Sequence, residues 1–231
     1  MEKGISDKDV LYEDNHLLAI NKRGGDIVQV DVSGDLSLED MVKEYLTKKY
    51  NKPNGAFIGV IHRLDRPVSG MILMAKTSKS LDRMNKLFHD RKVQKTYLAV
   101  VKNKPPHPSG KLQNWLLRDR KKMVTKAYNR EIKNGTYAEL SYEILGHLNG
   151  YYLLEINPLT GRTHQIRCQL GFIGCPIVGD NKYGYPRGSL RRTICLHSRA
   201  LTFEHPIKNE ETRIEAPLPI DGFWEQFNVL L

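Results

Sequence analysis

The sequence predicts an α+β fold: a mixed, largely antiparallel central sheet flanked by helices and loops. Three observations predict it. Apolar runs of strand length recur along the whole chain, only three stretches carry helical signals, and the two kinds of element never settle into the strand-helix-strand alternation of a parallel sheet.

In chain order, His16 to Lys22 (HLLAINK) and Ile27 to Asp31 (IVQVD) read as strands separated by a turn at Gly24-Gly25. Ser37 caps a helix in which Leu38, Met41, Val42, Tyr45 and Leu46 recur at helical spacing as a core face. Asp40 follows Ser37 by three residues, as in a capping box. Phe57 to Ile61 and Met71 to Ala75 are two more strand-length runs. The residues between them, HRLDRPVSG, contain Pro67 and Gly70 and form a polar loop held between buried strands. A second helix starts at Ser78, gathers Leu81, Met84, Leu87 and Phe88 on one face, and ends near Arg91-Lys92. Lys95 to Val101 is a strand. The basic stretch from Lys102 to Lys133, with Pro105, Pro106 and Pro108, reads as an extended or hairpin excursion from the core. Thr136 to Leu145 and Tyr151 to Asn157 pair through a turn at Gly146 and Asn149-Gly150. Thr163 caps a short helix, HQIRCQLG, and Ile194 to Phe203 returns as a strand.

Composition narrows the function. With 231 residues, 40% hydrophobic and 27% charged, the chain is expected to form one globular domain over residues 1–231. The longest run free of Asp, Glu, Lys and Arg is the twelve residues Cys168 to Gly179, broken by Gly and Pro. A helical membrane span needs roughly 20 apolar residues, so none is expected. The start, MEKGISDKDV, lacks the apolar segment of a secretory signal, and the expected address is the cytoplasm. Three cysteines, Cys168, Cys175 and Cys195, are too few and too odd in number for a disulfide framework. Their spacings to one another, His164 and His197 are not those of structural zinc, so no metal is expected.

The net charge of +10 is concentrated. Residues 1–60 carry 8 basic and 11 acidic side chains, residues 61–135 carry 19 and 5, and residues 136–231 carry 9 and 10. A middle third this basic, between acidic ends, is the footprint of a polyanion partner, because each neutralised phosphate releases condensed counterions.

Three segments could carry chemistry. Asp65 lies between Arg63 and Arg66; a carboxylate so placed suits a nucleophile or general base, or else a salt bridge that pins a loop. In TGRTHQIR, a helix opened by Thr163 puts His164 and Arg167 three apart on one face, where Arg167 can offer a bidentate fork to a carboxylate or phosphate. His164 reads as a structural or RNA-contacting group rather than a metal ligand. Tyr97, within KTYLAVV, is either a core residue or a platform for a stacked base.

Taken together and in order, five segments resemble the RluA family of RNA pseudouridine synthases. They are VLYED with Asn21-Lys22; HRLDRPVSG; KTYLAVV; TGRTHQIR with Gly179-Asp180 and Tyr183-Gly184; and LHS leading to LTFEHP. The resemblance implies a pseudouridine synthase fold and isomerisation of uridine to pseudouridine in ribosomal or transfer RNA, with the target base flipped out of its stack. It implies Asp65 as the catalytic aspartate, Tyr97 as the ring that stacks on the uracil, and Arg167 as the partner that orients Asp65. It also implies Arg63 as the arginine that takes the place of the flipped nucleotide, with His62, Arg66, Arg162, His164 and Leu196 as further substrate-binding candidates. The reaction transfers no electrons, so no cofactor is expected. Arg118, Arg120, Lys121 and Lys122 are the candidate RNA-gripping cluster, and the expected protein is a monomer with no obligate protein partner.

Two departures stand beside the site. Asn21-Lys22-Arg23-Gly24-Gly25 replaces the usual Asn-Lys-Pro-Ala-Gly, and Val68-Ser69-Gly70 replaces Thr-Ser-Gly, which leaves substrate choice open. Family members often carry a small RNA-binding domain ahead of the catalytic one; with only a few residues before Val10, none is expected here. One rival reading is a non-catalytic RNA-binding protein on the same fold. Another is a metal-dependent nuclease using Asp65, His62 and His164, but residues 61–81 offer no second carboxylate.

Overall fold

The computed structural model describes residues 4–32, 34–187 and 193–231. The chain gathers into two compact units, each made of two chain segments: Met1–Val93 with Ser198–Pro217, and Gln94–His197 with Leu218–Leu231.

In the first unit, β1 (Val10–Glu13), β2 (Leu17–Lys22), β4 (Ser69–Ala75) and β10 (Leu196–Glu204, in this unit from Ser198) lie in that order. β11 (Glu211–Glu215) pairs with β10, and the short β3 (Gly59–Val60) pairs with β4. Alternate residues of β2 and β4, Leu17, Ala19, Met71 and Leu73, are buried with Met84 of α2 (Ser78–His89) and with Leu201 and Phe203. α1 (Leu38–Lys49) opens as its sequence dictates: the Ser37 hydroxyl accepts the Asp40 N–H at 3.2 Å and donates to the Asp40 carboxylate at 2.6 Å.

The β1–β2 turn is built on Asp14, whose carboxylate accepts the His16 and Leu17 N–H groups at 2.8 Å and the Tyr12 hydroxyl at 2.9 Å. His205, 191 residues away, completes it. The N–H groups of Ile207 and Lys208 donate to His205 Nδ1, so the ring proton lies on Nε2, which donates to Asp14 at 3.0 Å. The HP of LTFEHP thus locks the end of β10 to the start of the sheet.

In the second unit, β5 (Gln94–Val101), β9 (Tyr151–Pro158), β8 (Thr136–Leu148), β6 (Ser109–Asp119) and β7 (Val124–Tyr128) follow one another, all antiparallel. The β8–β9 turn places Asn149 at φ 50° and Gly150 at φ 79°, the left-handed pair that a two-residue hairpin turn requires. One side of the β6–β8 sheet packs Leu116 and Ala138 against Cys168 of α3 (Gln165–Phe172). Leu98, Val100 and Leu153 pack with Trp224 and Phe227 in a second cluster.

Four expectations are corrected. Ile27–Asp31 is not a strand: the Ile27 and Val28 carbonyls accept the Leu38 and Glu39 N–H groups, so this segment serves the first turn of α1 instead of a ladder. Phe57 is 47% exposed, and the strand expected over residues 57–61 shrinks to Gly59–Val60. Tyr45 is only half-buried and turns its hydroxyl to Asp7. The basic stretch forms the expected hairpin, β6 with β7, but it is not an excursion from the core, since the other edge of β6 pairs with β8.

Candidate active site

Asp65 sits in the loop between β3 and β4, half-buried, in a turn closed by the Val68 N–H on the Asp65 carbonyl at 3.0 Å. Three devices fix this loop. At its entry, the His62 ring lies stacked on Phe88 (centroids 5.1 Å apart), and its Nε2 accepts the Leu73 N–H at 2.9 Å. β3 pairs with Ala75 and Met74 and then leaves the sheet, so the imidazole takes the ladder acceptor's place at the next residue of β4. At its exit, Gly70 holds φ 105°, and a Cβ there would collide with the backbone oxygen and nitrogen of Ser198. Only glycine fits.

The third device is Lys22, at the end of β2. It is 1% exposed, and its ammonium donates to the carbonyls of Arg23 (3.0 Å), Arg66 (3.1 Å) and Val68 (2.6 Å). Burial pulls its pKa down to about 7, opposed by the charges of Asp26 and Asp65. The Asn-Lys pair had been noticed without a role. A lysine closing an apolar strand, LLAINK, was the available signal, since a buried ammonium needs three acceptors from somewhere.

Of the two arginines beside Asp65, Arg63 is exposed. Arg66 reaches the other way, with Nε on the Gly25 carbonyl at 3.1 Å and a terminal nitrogen on Asp35. It ties the aspartate loop to the segment after β2.

In the second unit, Tyr97 lies half-buried on β5 opposite Ile156 of β9. Leu98 and Val100 enter the core cluster, so strand alternation turns Tyr97 to the other face. α3 carries Arg167, which is 5% exposed and forms a bidentate pair with Asp180: Nε to Oδ2 at 2.7 Å and a terminal nitrogen to Oδ1 at 2.9 Å. Tyr183 stacks beside it, its ring centre 5.1 Å from the guanidinium carbon. The Tyr183 hydroxyl accepts the Thr125 N–H at 2.9 Å and pairs with His164 Nδ1 at 2.7 Å. Burial pushes this phenol's pKa upward, so it stays a neutral hinge between β7, α3 and the turn after α3. Asp180 and Tyr183 are the residues that sequence reasoning quoted but did not use.

The helix start differs from expectation. The cap is His164, at φ 55°, not Thr163, and no side chain caps the first turn. The amide of Gln165 does the joining instead, accepting the Thr160 hydroxyl (2.7 Å) and the Arg162 N–H (3.0 Å) while donating to the Glu139 carbonyl (3.0 Å). His164 therefore stands at the helix cap, yet it and Arg167 meet on one side, where both contact Tyr183.

The remaining candidates are spread out. Leu196 is buried at the start of β10, whereas Arg162, Arg118, Arg120, Lys121 and Lys122 are exposed. The last three form the β6–β7 turn, closed by the Lys122 N–H on Asp119 at 2.9 Å. Among the described residues no three His, Cys, Asp or Glu side chains gather as a metal site, and no helix is long and apolar enough to cross a membrane. Cys168 is buried with its thiol on the Thr125 carbonyl, and burial pushes its pKa up to about 12.

Comparison with known proteins places the chain in a family. A family profile described as RNA pseudouridylate synthase matches residues 16–171. Ribosomal large subunit pseudouridine synthase C of Rickettsia bellii is 33% identical over 221 residues, 95% of this chain and 71% of the relative. The protein of the same name from Buchnera aphidicola is 34% identical, covering 96% and 70%. Among solved structures, human RNA pseudouridylate synthase domain containing 4 superposes with a TM-score of 0.79 at 24% identity, covering 96% of this chain and 93% of that one. Human RNA pseudouridylate synthase domain containing 1 gives 0.76 at 23%, covering 100% and 90%. The two human structures share the fold; the profile and the bacterial relatives carry the family, and the chain belongs to the RNA pseudouridylate synthases of the RluA type, which are isomerases.

Proposed function

We propose that this enzyme converts uridine to pseudouridine in RNA, with large-subunit ribosomal RNA as its first candidate substrate and transfer RNA as the second. The observation that carries the reading is the profile match over residues 16–171, which contains Asp65, Tyr97 and Arg167. The names of the bacterial relatives supply the ribosomal candidate.

In this reading the bond from uracil nitrogen to ribose breaks, the base turns, and a ring carbon forms the new bond while losing its proton to the vacated nitrogen. Asp65 supplies the carboxylate at which the bond is broken and remade. Tyr97 stacks on the uracil, and Arg167, its guanidinium already oriented by Asp180, is the cation that steers Asp65. Arg63, exposed on the same loop as Asp65, fills the gap left by the flipped base. His62 and Arg66 serve by holding the loop. Arg162, His164 and Leu196 complete the substrate contacts. Flipping a base out of its stack costs a few kcal/mol, and contacts from the basic middle third, including Arg120, Lys121 and Lys122, offset it. No cofactor enters the scheme. The enzyme acts in the cytoplasm as a monomer.

The test is to incubate the protein with bulk RNA from its own organism lacking this gene and to map the new pseudouridines. Discrete new sites, in ribosomal or in transfer RNA, support the reading and name the substrate. RNA that is bound but unmodified, while another family member succeeds on the same preparation, replaces it with the non-catalytic RNA-binding alternative.

A further inference from the structure

The second unit contains a depression of about 240 Å3, lined by Arg118 of β6, Thr125 of β7, Thr136 of β8, and Gly161, Arg162 and Thr163 of the turn before α3, with the Leu116 side of β6 beneath. That is about eight times the ~30 Å3 share of one liquid water, enough to seat a phosphodiester together with part of its ribose. Among the described residues no carboxylate lines it. We propose that this depression is a seat for one backbone phosphodiester of the RNA substrate, gripped between Arg118 and Arg162. The proposal deepens the reading above by giving one linkage of the RNA a defined place.

The reason is preorganisation. An arginine on a bare surface loses rotamer freedom when it grips a phosphate, and that cost is subtracted from what the contact yields. Here both arginines are already held. Arg118 donates one terminal N–H to the Thr163 hydroxyl at 3.2 Å, and Arg162 donates its Nε–H to the Tyr137 carbonyl at 3.0 Å. A guanidinium has five N–H donors in a fixed fork, so each keeps donors for an anion after paying for its own placement. The turn carrying Arg162 and Thr163 is itself fixed, since the Thr163 carbonyl accepts the Thr125 hydroxyl at 3.0 Å and the Arg162 N–H is held by Gln165.

The neighbouring cations differ in how they are held. Arg118 and Arg162 are exposed but anchored by side-chain hydrogen bonds, whereas Arg120, Lys121 and Lys122 ride on the β6–β7 turn and add diffuse attraction. The seat and the turn therefore predict different signatures: a localised contact whose two arginines are coupled, against several weak, additive ones.

The experiment measures binding of a short fluorescein-labelled oligouridylate to the full chain by anisotropy over a range of salt concentrations. The variants are Arg118→Gln, Arg162→Gln and their double, with Lys52→Gln, an exposed residue of the first unit, as the control. Glutamine removes the charge and the guanidinium fork, keeping at residue 162 a nitrogen in the Nε position for Tyr137; circular dichroism and a melting curve check folding. Each single change should weaken binding several-fold and flatten the slope of log K against log salt by about 0.7, and the double should lose less than the product of the singles. Unchanged slopes in both singles, or losses that simply multiply, overturn the seat. Chemical shifts on titrating inorganic phosphate into the same proteins separate the sources: a loss confined to inorganic phosphate, with RNA binding intact, assigns the depression to a free anion instead. Pseudouridine formation is scored in parallel, so that an inactive wild type counts against the proposed function alone and normal slopes in an active enzyme count against the seat alone.

Discussion

Lys22 Nζ lies 2.6 Å from the carbonyl oxygen of Val68, and through this contact the end of β2 holds the loop that carries Asp65. Two more carbonyls, of Arg23 and Arg66, complete the clasp. A flexible loop becomes a rigid mount because its polar backbone finds its donor inside the fold instead of in water.

Removing the clasp takes the lysine donor from the buried Val68 carbonyl, while the Arg66 and Arg23 carbonyls keep the Gly25 and Asp26 N–H groups. Lys22→Met should cost about 2–3 kcal/mol in urea unfolding, with a fall in turnover larger than the change in RNA affinity. The pH profile has a defined sign. The folded pKa of about 7 lies below the ordinary 10.5, so between those values the unfolded chain binds more protons and stability rises with pH. That rise should be missing from Lys22→Met.

Gly70 tests the same loop at its other end. Gly70→Ala places a methyl against the Ser198 backbone at a φ that side chains rarely adopt. The expected loss exceeds that of an ordinary glycine replacement, about 3 kcal/mol or more, measured as the unfolding midpoint. A near-neutral result would mean the β4–β10 approach is looser than described.

Glu13 reports on acid stability. Burial raises its pKa, but hydrogen bonds from Lys76, Tyr50 and Lys49 outweigh burial and hold it at about 2. Because the folded value is depressed, its contribution is complete above about 4.5 and is lost as pH falls toward 2. Melting temperatures recorded across that window should fall less steeply for Glu13→Gln than for wild type.

Arg167 and Asp180 are both almost fully buried. Asp180→Ala removes the bidentate carboxylate from a buried guanidinium and should cost about 3–5 kcal/mol, together with a loss of turnover that Asp180→Glu partly restores. Equal stability of Asp180→Ala and wild type would show that Arg167 is held by other partners.

Much of this was legible in the sequence, and what was not has physical causes. The α1 cap, the α2 face and the Asn149-Gly150 hairpin were readable because each depends on neighbours a few residues apart. Ile27–Asp31 was misread because an apolar run does not reveal whether its carbonyls meet a strand or a helix terminus. The helix before Arg167 was read as starting one residue early because a threonine is a common cap, whereas here a glutamine amide and a left-handed histidine do the work. Asp65, Tyr97 and Arg167 are proposed from ordered motifs. Lys22, which holds the Asp65 loop, and Asp180 and Tyr183, which hold Arg167, belong to the same motifs, yet their roles depend on partners 13 to 58 residues away that no local pattern announces.

The central claim is that Asp65 is the catalytic carboxylate on a loop built to present it. The most direct measurement is pseudouridine formation in a mapped target RNA by wild type and by Asp65→Asn, with RNA affinity and thermal stability recorded for both. The account predicts that Asp65→Asn folds and binds RNA as wild type does and forms no pseudouridine. Turnover by Asp65→Asn within a few-fold of wild type would contradict it.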